Sequence, residues 1–228
     1  MPTHGQRVSI CIPAKDEAAT VGDIVKRCLP LGDEVFVVDG HSTDATREIA
    51  AAAGVPVYLD EGRGKGCAVR EAIARATGDV LVFIDADLSF DAADIPKLVE
   101  PVARGEADYA NGSRMRGGSD ELHGDLDKFI RMVGQDVITL GINYRFGVRL
   151  TDSQSGFRAI RLDAARQIVL EEDITTTEQE MIIKFLRRGF RIAEVPTHEY
   201  ASARARSHIS LRRVAVRYVW SWLKYMWG

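Results

Sequence analysis

Val80-Leu81-Val82-Phe83-Ile84-Asp85-Ala86-Asp87 (residues 80–87) is five apolar residues that run straight into two carboxylates. The apolar run is too short for a helix and rich in β-branched side chains, so it reads as a buried strand. The acids then mark the point where the strand leaves the core. Three similar runs precede it, at Val8–Ile12, Glu34–Asp39 and Val55–Leu59. Helix-patterned segments lie between them, at Ala18–Leu29, Asp44–Ala53 and Lys65–Ala76. Ser42, Thr43 and Asp44 can cap the second, while Gly54 and Gly78 can stop the second and third. Strands alternating with helices predict βαβ units and a parallel sheet covered on both faces. Right-handed crossovers then bring the strand C-termini to one rim, where open α/β sheets bind ligands.

Acidic clusters sit at that rim. The first strand is followed by Pro13-Ala14-Lys15-Asp16-Glu17, the second ends in Asp39 with Ser42, Thr43 and Asp44 close behind, and the fourth reaches Asp85 and Asp87. Asp and Ser are ordinary turn and cap residues, which explains any one cluster more easily than all three. Asp85 and Asp87 can share a hard divalent cation that leaves its other positions to water and phosphate oxygens. Asp16, Glu17 and Asp39 can accept hydrogen bonds from a ribose or a base. Lys65 stands between two glycines at a helix start, where backbone N–H groups and an ammonium favour an anion. GRGKGC satisfies neither GxGxxG nor the Walker pattern, and His198-Glu199 does not complete HExxH.

The second half predicts a helix over Asp91–Ala103 disturbed by Pro96 and Pro101, and strands at Ala107–Ser113, Phe157–Ile160 and Arg191–Val195. Further helices are expected at Leu126–Phe146 and Thr177–Arg188, with a Gly-rich mobile loop over 115–125. Glu178 and Glu180 either face an acceptor or simply suit a helix N-terminus.

Composition narrows the class. The 228 residues are 46% hydrophobic and 28% charged, as in soluble globular proteins. Three cysteines without a CxxC pair support neither a zinc ribbon nor a disulfide scaffold and fit a reduced compartment. No signal-peptide pattern opens the chain, and no run of 18 apolar residues marks a membrane span. Residues 1–199 carry 24 Lys+Arg against 33 Asp+Glu, whereas residues 200–228 carry six basic residues and no acid. An acidic body argues against duplex nucleic acid, and a basic end argues for an anionic partner. In that end, Leu211, Val214, Tyr218 and Trp222 follow helical spacing beside Arg213, Arg217 and Lys224. Such a helix suits a membrane interface, the body of the domain or a dimer partner.

Six motifs in order, IPAKDE (12–17), VVDGHSTDAT (37–46), GRGKGCAV (62–69), DADLS (85–89), DSQSGFRAI (152–160) and EQEMIIKFLRRGFRIAEVPTHEY (178–200), resemble glycosyltransferase family 2. The likeness spans about residues 7–210 and is greatest to the polyprenyl-phosphate glycosyltransferases of the dolichol-phosphate mannose synthase kind. It implies a GT-A fold, a Rossmann-like α/β sandwich with a central, mostly parallel sheet. With no convincing linker in the sequence, the chain is expected to form one catalytic domain over 1–205 and a basic, aromatic C-terminal helix over 206–228. The resemblance further implies an inverting, Mg²⁺- or Mn²⁺-dependent transfer of a sugar from a GDP- or UDP-linked donor to a polyprenyl or dolichyl phosphate.

On that resemblance, Pro13, Ala14, Asp16, Glu17, Asp39, Lys65, Asp85 and Ala86 hold the nucleotide-sugar. Asp85 and Asp87 hold the metal, and Ser89 stands where relatives carry a Gln that also reaches it. Arg114 and Arg131 meet the acceptor phosphate and serve catalysis together with Asp87. Asp152, Ser155 and Gly156 belong near the sugar or the metal. After Pro196 the chain departs from the family turn, and Arg204 and Arg206 supply the charge that Ser202 and His208 do not. Relatives often add membrane-spanning helices at this end, so the expectation here is peripheral attachment at the cytoplasmic face, with a membrane subunit or a second copy as partner. The rivals are a soluble acceptor, a nucleotidyltransferase whose Gly-rich N-terminal loop is missing here, and a non-catalytic nucleotide-sugar binder.

Overall fold

The structure is a computed structural model and describes residues 4–120, 126–202 and 211–227. The described residues build a seven-stranded sheet of order β3-β2-β1-β4-β6-β5-β7. The strands are β1 (Val8–Ala14), β2 (Glu34–Asp39), β3 (Val57–Leu59), β4 (Val80–Phe83), β5 (Tyr109–Ser113), β6 (Arg158–Arg161) and β7 (Ile192–Pro196). Between them in chain order run α1 (Val21–Cys28), α2 (Thr46–Ala52), α3 (Lys65–Arg75), α4 (Ile95–Ala103), α5 (Arg114–Gly117), α6 (Leu126–Phe146), α7 (Leu162–Ala165) and α8 (Thr177–Arg187), with α9 (Leu211–Trp227) last.

Strict alternation along the strands makes the two layers. Val8, Ile10 and Ile12 of β1, Val35 and Val37 of β2, and Val80 and Val82 of β4 join one core with α1, α2 and α4. Cys11, Phe36, Val38, Leu81 and Phe83 point the other way, into a core with α3, α6, α8 and α9. Each such side chain taken from water contributes about 1.5–3 kcal/mol. β1 pairs in parallel with β2 and β4, and β2 with β3, as the repeated strand–helix pattern predicts. β6 is the exception and runs antiparallel between β4 and β5. Its insertion leaves β4 and β5 parallel, so the ends of β1, β2, β4 and β5 share one rim.

Several local expectations change. β1 continues to Ala14, which puts Pro13 and Ala14 in the sheet. Pro96 and Pro101 do not break α4: Pro96 sits in the first turn, where no N–H is needed, and Pro101 lies in the last. Residues 115–117 of the anticipated loop belong to one helical turn, α5. The domain boundary near 205 lies outside the described residues, but α9 packs on α6 and α8 and buries Tyr225 and Met226. Its backbone is tied down as well. Gln179 Nε2 donates to the Tyr218 carbonyl at 2.9 Å, and Arg187 Nη1 to that of Tyr225 at 3.1 Å.

Candidate active site

Three rim loops converge, and each contains a non-glycine residue in the left-handed region. These are Asp16 (φ 54°) after β1, His41 (φ 61°) after β2 and Leu88 (φ 61°) after β4. Such backbone is uncommon outside glycine and clusters at functional loops. The first two loops are stitched together. Asp16 donates its N–H to Ser42 Oγ at 2.9 Å and accepts from the Thr43 N–H at 2.7 Å. The Glu17 N–H donates to Thr46 Oγ1 at 2.7 Å, and the Asp44 carboxylate accepts from the Ala18 N–H at 3.0 Å. The Thr43 N–H holds the Asp16 carboxyl below the usual carboxylate range. Asp39 is fully buried and accepts from the Ser42 N–H at 2.9 Å and from its hydroxyl. So Pro13, Ala14, Asp16, Glu17 and Asp39 come together at one rim, with Asp16 and Asp39 also organising the loops.

Lys65 opens α3, but not as an open anion nest. The Gly66 N–H is taken by the Asp173 carbonyl at 2.8 Å, and that of Cys67 by Gly64. The ammonium instead reaches Asp85 Oδ1 at 2.6 Å and Glu178 Oε1 at 3.2 Å. Burial opposes its charge, yet the two carboxylates outweigh burial and hold its pKa above the ordinary lysine value. Behind Glu178 lies Arg158, fully buried, 3.8 Å away and over the Phe83 ring at 4.8 Å. A chain of alternating charge thus runs Arg158–Glu178–Lys65–Asp85, tightening toward the rim. Gly156 closes it: a Cβ there would lie 2.6 Å from both Asp85 Oδ2 and Lys65 Nζ. Ser155 takes part through its carbonyl, which accepts from Arg158 at 3.4 Å. Arg158 appeared in sequence only as part of a motif; a cation inside an apolar strand was the available signal. Glu180, by contrast, accepts the N–H groups of Glu171 and Glu172 at 2.8 and 2.9 Å and is structural.

Asp87 offers its carboxylate to two neutral donors, the Ser89 N–H at 3.0 Å and the Ser202 hydroxyl at 3.1 Å. Among the described residues no cation pairs with it. Ala86, between the two acids, is buried. Ser89 is buried too, and its carbonyl accepts the Tyr200 N–H at 2.8 Å. Two carboxylates separated by one residue, one of them with no cationic partner among the described residues, fit a hard divalent ion.

Arg114 is held by protein carboxylates. Its guanidinium does not stand open toward an acceptor: Nε and Nη2 grip Asp152 at 2.7 and 3.0 Å, and Nη1 meets Glu199 at 3.3 Å. The pair is buried, and despite the burial Arg114 holds the Asp152 carboxyl below its ordinary value. Glu199 also accepts from Ser119. Arg114 is therefore a brace between β5, the 152–156 loop and the segment after β7. The side chains of Arg131, Arg204 and Arg206 lie outside the described residues.

Residues 9–169 match Glycosyl transferase family 2, and the chain belongs to that family. Glycosyltransferase AglJ of Haloferax volcanii is 33% identical over 202 residues, which cover 88% of this chain and 65% of that protein. The low-salt glycan biosynthesis hexosyltransferase Agl6 of the same organism is 31% identical over 195 residues, 83% of this chain and 46% of its own. The chain thus spans about half to two thirds of these relatives. Glucosyl-3-phosphoglycerate synthase from Mycobacterium tuberculosis, in complex with Mn²⁺, UDP-glucose and phosphoglyceric acid, superposes with a TM-score of 0.80 at 25% identity over 98% of this chain and 81% of that one. The fold is therefore the GT-A fold.

Proposed function

We propose, with family 2 membership as the premise, that this chain transfers a hexose from a nucleotide-sugar to a polyprenyl or dolichyl phosphate, with inversion at the anomeric carbon. The observation that carries the donor half is the convergence of Asp16, Asp39, Asp85 and Asp87 on one rim. Asp85 and Asp87, with Ser89 beside them, are the residues that would hold Mg²⁺ or Mn²⁺. A bound divalent ion neutralises charge on the leaving diphosphate. A solved relative of this fold holds Mn²⁺ and UDP-glucose, which favours a UDP-linked donor.

The protein's own residues have a limited task. A phosphate monoester is already anionic near neutral pH, so its oxygen attacks without a dedicated base. Catalysis is then positioning plus charge stabilisation. Lys65, held between Asp85 and Glu178, fixes the Asp85 carboxylate. Arg114 fixes Asp152 and with it the loop that carries Ser155 and Gly156. Arg131, Arg204 and Arg206 are the cations assigned to the acceptor phosphate. The enzyme works peripherally at the cytoplasmic membrane face through its C-terminal helix; among the described residues no helix is long and apolar enough to cross a membrane. A membrane subunit or a second copy would complete the assembly.

A soluble phosphorylated acid is the second reading, favoured by the phosphoglyceric acid bound in the solved relative. Both readings share an anionic phosphate acceptor. Incubation with UDP-glucose, UDP-N-acetylglucosamine or GDP-mannose, Mn²⁺, and either polyprenyl phosphate or 3-phosphoglycerate separates them. A chelator-sensitive lipid-phosphate sugar is the expected product. A sugar found only on phosphoglycerate would overturn the lipid reading.

A further inference from the structure

The two helices that carry Lys65 and Glu178 do not cap their own starts. α3 opens behind Gly64, which has no side chain to offer the free N–H groups, and α8 opens behind Thr176, whose hydroxyl makes no capping bond. Residues 171–176, which belong to no helix or strand, supply the missing acceptors. The Asp173 carbonyl accepts the Gly66 N–H at 2.8 Å, and the Ile174 carbonyl accepts the Thr177 N–H at 3.1 Å. The Glu172 carbonyl and the Asp173 carboxylate also hold Arg70, at 2.9 and 2.6 Å. The fit is close enough that only glycine is accommodated at 64 and 66. A Cβ there would lie 2.6 Å from the Asp173 carbonyl oxygen and 1.9 Å from that of Glu172. Residues 171–176 are thus a wedge against both helix starts. Lys65 is the first residue of α3 and Glu178 the second of α8, and they meet at 3.2 Å beside Asp85. A shift of the wedge therefore moves both partners of that pair.

The far side of the wedge rests on α9. Tyr218 Oη donates to Thr175 Oγ1 at 2.7 Å. The hydroxyl of buried Tyr225 lies 3.1 Å from Glu171 Oε2 and 3.2 Å from Glu172 Oε1. Thr176 Oγ1 donates to the other Glu172 oxygen at 2.6 Å, so the wedge is closed on itself as well. The Lys224–Glu171 pair beside the phenols is about half exposed and adds little. Each phenol reaches the wedge through its oxygen alone, so the contact can be removed while the ring stays in place. The family match ends at residue 169, and both the wedge and α9 lie beyond it.

We propose that Tyr218 and Tyr225 are positioning residues for the donor site, acting through residues 171–176 on the Lys65–Glu178 pair at Asp85. The proposal rests on the reading of Lys65 and Asp85 as donor-site residues and deepens it. It makes the last helix a support of the donor site from behind the sheet rim, with neither phenol touching the donor.

The test compares the 228-residue wild type with Tyr218→Phe, Tyr225→Phe and the double variant. Arg187→Met is the control, because it removes the bond to the Tyr225 carbonyl and leaves both phenols. Hydrogen exchange is read by mass spectrometry over 64–70 and 174–180, and UDP affinity by calorimetry with Mn²⁺, both well below the melting temperature. In the double variant, exchange at the two helix starts should be at least about tenfold faster, with the loops after β1 and β2 unchanged. UDP should bind about tenfold more weakly, and Arg187→Met should show neither effect. Unchanged exchange over 64–70 would overturn the coupling. Faster exchange with unchanged UDP affinity would leave the phenols a purely structural role. Equal losses in Arg187→Met would assign the effect to α9 docking as a whole and overturn the role of the phenols. A wild type that binds no UDP would fail the donor reading instead, and the exchange over 64–70 would still decide whether the phenols hold the helix starts.

Discussion

The two sides of this rim, the proposed donor side and the proposed acceptor side, are built differently. The loops after β1 and β2 are joined by short hydroxyls and carboxylates that accept backbone N–H groups: Ser42 for Asp16, Thr46 for Glu17, Asp44 for Ala18. The acceptor side is held by ion pairs between distant segments, Arg114 to Asp152 and Glu199, and His198 to Asp120. The first kind fixes loop shape with groups that stay close to the backbone. The second depends on charge, and so on partner and on pH. The difference teaches that the proposed donor side is tied by hydrogen bonds to the backbone, whereas the proposed acceptor side is tied by charge. The charge chain from Arg158 to Asp85 is where the two sides meet.

The largest effect is expected at the acids proposed to hold the metal, Asp85 and Asp87. Asp87→Asn should lower turnover by at least about 10²-fold without shifting thermal stability, because charge stabilisation at the transition state is lost while the fold keeps its bonds. EDTA should reproduce the loss in wild type. Steady-state kinetics beside a melting curve would check this, and equal activity in the variant would remove Asp87 from catalysis.

Next comes the acceptor-side brace. Arg114→Met strands Asp152 as a buried, unpaired charge and should cost about 3–5 kcal/mol of stability by urea denaturation. Asp152 ionises below its ordinary value of 3.8 in the folded state. Its contribution is therefore complete above that value and is lost as pH falls through the folded pKa. The variant should accordingly lose the acid-limb dependence that wild type shows.

Two glycines sharpen the contrast. In Gly66→Ala the new methyl would lie 1.9 Å from the Glu172 carbonyl, a backbone atom, so the protein should be destabilised as a whole. In Gly156→Ala the collision is with the ends of Asp85 and Lys65, which can move. Stability should barely change there, while activity falls roughly 10–100-fold, as for loss of a supporting contact around a metal site. Comparable melting temperatures with unequal rates would mark the second variant as a site effect.

His198 should show the smallest change. The Gly117 carbonyl and the Asp120 carboxylate, 3.1 and 3.0 Å from its ring nitrogens, raise its pKa above the ordinary 6.5. Its contribution is present below the unfolded value and disappears as pH rises through the folded one. NMR titration should give a pKa that drops toward 6.5 in Asp120→Asn.

Much of the donor side was legible because its residues follow strand ends directly. Val80–Ile84 running into Asp85 and Asp87 places both carboxylates at the rim without any partner being known. The acceptor side was less legible because its pairs are set by the fold. Nothing local distinguishes Arg114 beside a phosphate from Arg114 beside Asp152, 38 residues away. The antiparallel setting of β6 is equally silent, since a four-residue run reads the same in either direction. Residues 114–117 and 162–165 make single helical turns, too short to show a period. The apolar pattern of α6 was visible, but which of its faces lies open depends on where α9 packs.

Calorimetric titration of UDP in the presence of Mn²⁺ and in EDTA, on wild type and Asp87→Asn, tests the donor site most directly. Binding that requires Mn²⁺ and vanishes in Asp87→Asn is the predicted result. UDP binding of equal strength with EDTA, or unchanged in the variant, would contradict a metal-assisted donor site at the ends of β1, β2 and β4.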